Sequence, residues 1–212
     1  KIGGLLMGSF LIQKTHLLYK GTLYLAEEWD RDYEGCVWRY TTVKKDLLDF
    51  GLPLSIRIKG TNEQKKTLEI LEKANTLEEA VRELTSNGII CFPDCNLLYE
   101  LGIEKDYFTT IYPQNKKRRE IVKIISRLFG AVNDYPIRLK ENWFVKIICP
   151  EYITIFNEEE KIYKVFFIGK EIKNICLDLN GLHIEGNEFL KDITPTLYER
   201  DSTGNIMYIV TY

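Results

Sequence analysis

The chain has 212 residues, of which 45% are hydrophobic and 28% are charged, a composition that excludes an intrinsically disordered protein. It is long enough to bury one large core or two small ones. Its 29 Lys and Arg residues nearly balance its 31 Asp and Glu residues, and the resulting net charge of -2 excludes attraction to nucleic acid or to an anionic membrane by the overall field.

The five cysteines are scattered along the chain, which is not typical of a disulfide scaffold. Four of them lie in apolar stretches, and we expect these to be reduced core residues of a cytoplasmic protein. They are Cys36, Cys91, Cys149 and Cys176. Cys91 and Cys95 have no second pair nearby, and both histidines are distant from them in sequence, so no zinc site is expected.

The chain opens with KIGGLLMGSF, an apolar run that contains three glycines. Gly4 and Gly8 lie about one helical turn apart, which lets a second backbone approach closely and favours a buried helix. A buried strand is the simpler alternative. The run is too short to cross a bilayer, which needs about 20 residues, so no membrane partner is expected.

The stretch from Ile2 to Phe10 resembles the first helix of LAGLIDADG homing endonucleases, whose paired helices meet through small residues. Gly4 and Leu5 match the motif. The resemblance implies a strand, a short helix and a second strand over the segment that ends near residue 60. The family's metal-binding acid would fall at Ser9, which cannot bind a divalent cation as a carboxylate does, so the resemblance implies an inactive copy.

Residues 16–60 consist of apolar segments separated by turn residues, which predicts a β-rich N-terminal third. Two helices follow. Each begins with a predicted capping box, Thr61 with Gln64 and Thr76 with Glu79. Asn87-Gly88 ends the second helix, and IICF is the next predicted strand, short and buried.

A cluster of cations marks the start of a further predicted helix, from Asn115 to Phe129. Positive charge at a helix N-terminus opposes the helix dipole, whereas N–H groups and cations together suit a phosphate backbone. Ten Lys and Arg residues but only four Asp and Glu residues lie between Lys105 and Lys146. A solvated helix start, or a face for an acidic protein, is the alternative. The predicted nucleic-acid-binding residues are Lys116, Lys117, Arg118, Arg119 and Lys123.

After Trp143, seven short β-type segments leave no room for crossover helices, which predicts antiparallel pairing, with Asn180-Gly181 as the strongest hairpin turn. The predicted fold class is therefore α+β. It has a β-rich N-terminal third, central helices with a short buried strand and a C-terminal antiparallel β-meander. We expect an α/β N-terminal region over residues 1–135 and the meander over 136–212, packed as one compact unit.

Two distant segments resemble the signature of the PD-(D/E)xK nuclease superfamily. Asp94 ends a predicted strand, and Glu171 and Lys173 would share one face of an extended segment, because alternate strand residues point the same way. The resemblance implies that Asp94 and Glu171 hold Mg²⁺ or Mn²⁺ and that Lys173 steadies the attacking water or the developing phosphate charge. Glu160 or Asp134 can also serve as the first acid.

The leading prediction is a nucleic-acid-acting protein. It is either a divergent metal-dependent endonuclease, which hydrolyses phosphodiesters, or a nuclease-like module that binds without cutting. A cross-strand ion pair is the alternative for Glu171 and Lys173. No nucleotide cofactor is expected, because GGLLMG lacks the lysine of a phosphate loop. The competing class is a non-enzymatic interaction or structural protein, which pairs with itself or a partner through a β-sheet edge.

Overall fold

A computed structural model describes residues 10–31, 35–93, 139, 142–178, 181–190, 197–200 and 206–209. The chain divides into two compact units, residues 1–101 and 102–212. Helices and several antiparallel sheets make it an α+β protein, as expected. The boundary predicted after residue 135 lies outside the described residues and stays a prediction. Within the described residues, no helix has the length and apolar composition needed to cross a membrane.

The first unit contains a five-stranded antiparallel sheet with the strand order β3-β2-β1-β4-β5. Its strands are β1 (Phe10–Tyr19), β2 (Thr22–Arg31), β3 (Gly35–Lys44), β4 (Leu54–Ile56) and β5 (Cys91–Pro93). Lys20 and Gly21 form the turn between β1 and β2 with φ angles of 47° and 71°. Positive φ at both turn positions matches the twist of the paired strands. The predicted β-rich N-terminal third is confirmed.

Two helices, α1 (Thr61–Lys73) and α2 (Leu77–Ser86), lie between β4 and β5 in the chain. The Thr76 hydroxyl accepts a hydrogen bond from the Glu79 N–H at 3.1 Å, which confirms the predicted cap of α2. Gly88 has a φ angle of 74° and follows the C-cap of α2, so the predicted end of this helix is also confirmed.

The capping box predicted at the start of α1 is wrong. Gly60, rather than Thr61, is the N-cap, and no side chain caps this helix. The Gln64 N–H donates to the Gly60 carbonyl oxygen at 2.9 Å. The Glu63 carboxylate instead accepts the Lys59 N–H at 2.7 Å.

The centre of the first sheet is covered on both faces. Leu17 and Leu18 are neighbours in β1 and project to opposite faces, yet they are only 0% and 2% exposed. Each helix contributes one apolar stripe to the core of this unit. The buried apolar residues of α1 are Ile70 and Leu71, and those of α2 are Ala80, Val81 and Leu84.

The second unit contains a three-stranded antiparallel sheet and two hairpins. The sheet has the order β6-β7-β8, from Trp143–Ile148, Tyr152–Asn157 and Ile162–Phe167. The hairpins pair β9 (Asn174–Asp178) with β10 (Gly181–Glu185), and β11 (Leu197–Arg200) with β12 (Ile206–Ile209). A 3-10 turn spans Glu188–Leu190. The main core cluster comprises Trp143, Val145, Ile148, Ile153, Ile155, Ile172, Ile175, Ile184 and Leu190.

The C-terminal strands are antiparallel as predicted, but the described residues form three separate sheets. The continuous meander therefore stays a prediction. The hairpin turn predicted at Asn180-Gly181 is displaced by one residue. Gly181 pairs with Asp178 and so belongs to β10.

The segment between β3 and β4 contains no helix over residues 45–53. Gly51, with a φ angle of 75°, and Pro53 interrupt it. This differs from the strand, helix and strand implied by the LAGLIDADG resemblance. Residues 2–9, which carry most of that motif, lie outside the described residues.

Two of the cysteines expected in the core are exposed. Cys91 and Cys149 are buried, as expected, whereas Cys36 and Cys176 are exposed. Cys176 is exposed because of strand alternation, since its neighbour Ile175 takes the inward position in β9. An apolar sequence context therefore did not predict which face each thiol occupies.

Candidate nucleic-acid interface

The described residues do not bring the three predicted catalytic residues together. Asp94 lies outside them. Glu171 lies in a turn after β8, where its Oε2 atom accepts a hydrogen bond from the Phe167 N–H at 2.9 Å. The expectation that Glu171 and Lys173 share one face of an extended segment is wrong, because the chain turns before Lys173. The catalytic and metal-binding roles stay predictions.

The described residues do not place either alternative first acid beside Glu171. Asp134 lies outside the described residues. Glu160 is in the β7–β8 turn, where its N–H donates to the Asn157 Oδ1 atom at 2.9 Å. Over the described ranges, no three His, Cys, Asp or Glu side chains are placed to hold a metal ion together. A Mg²⁺ or Mn²⁺ site would therefore need an acid from outside the described residues, such as Asp94 or Asp134, and stays a prediction.

The basic patch predicted from sequence falls outside the described residues. It comprises Lys116, Lys117, Arg118, Arg119 and Lys123. Its role in binding phosphates stays a prediction.

One face of the second unit's three-stranded sheet carries a row of aromatic side chains. Phe144 pairs with Phe156 across β6 and β7, and Phe156 pairs with Tyr163 across β7 and β8. Directly opposed residues project from the same face. The centroids of the Phe156 and Tyr163 rings are 4.6 Å apart, and the ring planes are inclined by 34°. These three half-buried residues form what we call the aromatic row.

Two exposed lysines lie beside the aromatic row. The Nζ atoms of Lys146 and Lys161 are each 5.9 Å from the centroid of the Phe156 ring. Lys146 comes from the bulge in β6, where the register shifts between Val145 and Ile147. Lys161 comes from the β7–β8 turn, with a φ angle of 57°. Cations at this distance from a ring face are attracted to its π electrons.

Negative charge is concentrated at the hairpin end of the same sheet. Glu158, Glu159 and Glu160 are exposed in the turn between β7 and β8. The buried Asn157 shapes this turn, because its Oδ1 atom accepts the N–H groups of Glu159 and Glu160. Burial raises the pKa of the Tyr163 hydroxyl above its ordinary 10.0 and so further favours the neutral phenol.

Sequence reasoning missed the aromatic row. Trp143 and Phe144 are neighbours in β6, and Tyr163 and Phe166 occupy opposite faces of β8, so aromatic composition does not say which rings meet. The pairing register decides it. The signal in the sequence is the antiparallel alignment of YITIFN with IYKVFF across a four-residue turn. That alignment places Phe156 opposite Tyr163.

No family model, curated protein or solved structure matches this chain. The function must therefore be inferred from the geometry of the site itself. The aromatic row, with its two lysines, is the feature of the described residues that best fits a ligand with planar groups and negative charge.

Proposed function

We propose that this protein binds single-stranded nucleic acid without cutting it. The aromatic row with Lys146 and Lys161 beside it is the observation that carries the proposal. Bases stack on aromatic rings regardless of their sequence, and lysines attract the phosphate backbone. Rings on a β-sheet are held at fixed positions, an arrangement that sheet-based recognition of RNA also uses.

The charges around the aromatic row restrict the path of the bound strand. Phosphates would be repelled from the turn that carries Glu158, Glu159 and Glu160, and attracted towards Lys146. Lys161 lies next to this acidic turn, so its attraction is partly offset. The bound strand would therefore run past the row on its Lys146 side.

Binding without cutting is favoured over hydrolysis, because the Glu171 carboxylate closes a turn through the Phe167 N–H. Asp94, Glu171 and Lys173, with Mg²⁺ or Mn²⁺, remain the candidates for a nuclease site. The predicted basic patch would add phosphate contacts in the same unit. A cytoplasmic location is consistent with buried thiols at Cys91 and Cys149 that form no disulfide.

The test is a salt titration of binding to labelled single-stranded DNA, single-stranded RNA and duplex DNA, measured by fluorescence anisotropy. We expect single strands to bind more tightly than duplex. Phe156→Leu keeps an apolar side chain but removes the ring, and should weaken binding about tenfold, because base stacking contributes about 1–3 kcal/mol per base. Lys146→Ala should reduce the slope of log affinity against log salt by about 0.7.

Two further variants separate this site from general charge effects. Lys65→Ala removes an exposed lysine from α1 in the other unit, and should leave binding unchanged. Glu159→Lys should strengthen binding, because it removes repulsion beside the aromatic row. Equal binding by wild type and Phe156→Leu would refute the proposed site. Cutting that requires Mg²⁺ or Mn²⁺ and is lost in Glu171→Ala would replace it with the nuclease function.

A protein interaction through a sheet edge is the second candidate. β3 is an edge strand of ten residues within the described sheet, and most of its side chains are exposed or half-buried aromatic and β-branched residues. Long edges of this kind pair readily with another strand. A chain that binds none of the three nucleic acids, but is a dimer by light scattering, would favour this candidate.

A further inference from the structure

The outer face of the β9–β10 hairpin carries a cysteine directly opposite a histidine. Cys176 in β9 pairs with His183 in β10. Directly opposed Cβ atoms in an antiparallel pair are about 4.5–5.5 Å apart, which places thiol and imidazole within reach of one small ion. Both side chains are exposed.

The inward face of this hairpin is fixed by the core. Ile175 and Ile184, the next opposed pair, are 3% and 4% exposed. Because strand residues alternate between faces, burial of these two isoleucines holds Cys176 and His183 outward in a defined register. The pair is therefore presented by a rigid element rather than by a loop.

A third side chain supports the thiol. The Asn174 Nδ2 atom donates a hydrogen bond to the Cys176 Sγ atom over 3.1 Å. An N–H donor holds the sulfur in a fixed orientation, and such supporting contacts are typical of metal-binding thiolates. Cys36, the other exposed cysteine among the described residues, is opposed by Asp30 rather than by a histidine.

We propose that Cys176 and His183 form a binding site for a soft, low-coordinate cation, with Cu⁺ as the ion of choice. Thiolate and imidazole ligands suit copper and zinc, whereas Mg²⁺ and Ca²⁺ prefer oxygen. A closed zinc site needs four ligands, and the described part of the chain offers no third His, Cys, Asp or Glu side chain at this place. Cu⁺ is satisfied by a linear pair of soft ligands.

Binding would release the thiol proton of Cys176 to solvent, because a metal binds the thiolate. The ring nitrogen of His183 would supply a neutral second ligand. Asn174 would keep its amide hydrogen bond to the bound sulfur. No oxidation or reduction is part of this step.

The test uses the full chain, reduced and kept free of oxygen, with Cu⁺ supplied as its coloured bicinchoninate complex. Transfer of Cu⁺ to the protein is followed as loss of the complex's absorbance. Cys176→Ser and His183→Gln should each weaken Cu⁺ binding by about 100-fold or more, and Asn174→Ala by about tenfold, the range typical of supporting contacts. X-ray absorption should report sulfur and nitrogen ligands.

Cys36→Ser is the matched control, because it removes an exposed thiol that has no histidine opposite it. Its affinity for Cu⁺ should equal that of the wild type. Unchanged binding by His183→Gln, or an equal loss in Cys36→Ser, would mean that thiols bind Cu⁺ without a site, and would overturn the proposal. Zn²⁺ binding as tight as Cu⁺ binding would overturn the choice of ion.

Discussion

Gly21 is a position where one methyl group would disturb the first unit. It has a φ angle of 71°, and a Cβ atom there would collide with the carbonyl oxygen of Leu47. The Leu47 N–H also donates to the Gly21 carbonyl oxygen at 2.8 Å. Gly21 therefore joins the β1–β2 turn to the segment that follows β3.

We predict that Gly21→Ala destabilises the first unit more than Gly51→Ala. Gly51 has a similar φ angle of 75°, but its Cβ would meet no atom within 4 Å. Both variants place a side chain in the left-handed region, which costs about 1–2 kcal/mol. Overcrowding at Leu47 should add about 1–3 kcal/mol in Gly21→Ala alone.

Urea unfolding of the two glycine variants measures this difference directly. Equal losses in the free energy of unfolding would mean that backbone conformation is the whole effect. In that case the close approach of Gly21 to the Leu47 carbonyl oxygen would not limit which residue can occupy position 21.

Helix starts show how far local sequence determines an element. Both capping boxes have the same residue pattern, yet only Thr76 caps a helix, at 3.1 Å from the Glu79 nitrogen. At α1, Gly60 takes the N-cap position, with φ and ψ angles of -176° and -177°, and Thr61 is already helical. The motif predicted that each helix exists, but not which residue begins it.

We predict that Thr76→Ala reduces the free energy of unfolding by about 1 kcal/mol, the usual loss for a hydroxyl N-cap. Thr61→Ala should change it by less than about 0.5 kcal/mol, because Thr61 is an exposed helical residue with no capping bond. Circular dichroism during urea unfolding measures both. A loss at Thr61 as large as that at Thr76 would contradict the cap assignment.

Strand register explains why the sites were harder to predict than the elements. The β9–β10 hairpin itself was predicted, but a turn at Asn180-Gly181 would have paired Cys176 with Glu185. The observed pairing of Gly181 with Asp178 instead brings Cys176 opposite His183. A displacement of one residue in the turn keeps the same face outward and changes every cross-strand partner.

At Glu171, strand alternation alone gave a wrong prediction. Alternation along a strand predicted that it would lie beside Lys173 on one face. Its carboxylate instead bonds the Phe167 N–H and closes a turn. The contact joins Glu171 to a residue four positions earlier in the chain. Strand periodicity describes alternate residues and does not predict a contact of this kind.

At the scale of the whole molecule, each unit contains a buried ionisable group whose neutral form is favoured by burial, which lowers the pKa of a base and raises the pKa of an acid. In the first unit, burial and then the nearby charge of Lys14 lower the pKa of His16 below its ordinary 6.5. His16 is 8% exposed, and its Nδ1 atom has no hydrogen-bond partner within the described residues. In the second unit, burial raises the pKa of Glu151 from 4.5 to about 7.

These shifts predict opposite responses of the two units to pH. Unfolded His16 binds a proton more readily than folded His16, so the first unit should lose stability as pH falls below 6.5. Folded Glu151 holds its proton more tightly than the unfolded residue does. The second unit should therefore lose stability as pH rises from 4.5 through about 7, by on the order of 3 kcal/mol.

Resistance to a protease at increasing urea, with the fragments assigned to each unit by mass spectrometry, measures both responses in one chain. From pH 8 to pH 5, the second unit should become more resistant and the first less resistant. Glu151→Gln should remove the response of the second unit only, since its amide carries no charge to bury, and His16→Leu that of the first only. If both units respond in the same direction, their pH dependence does not come from these two buried groups.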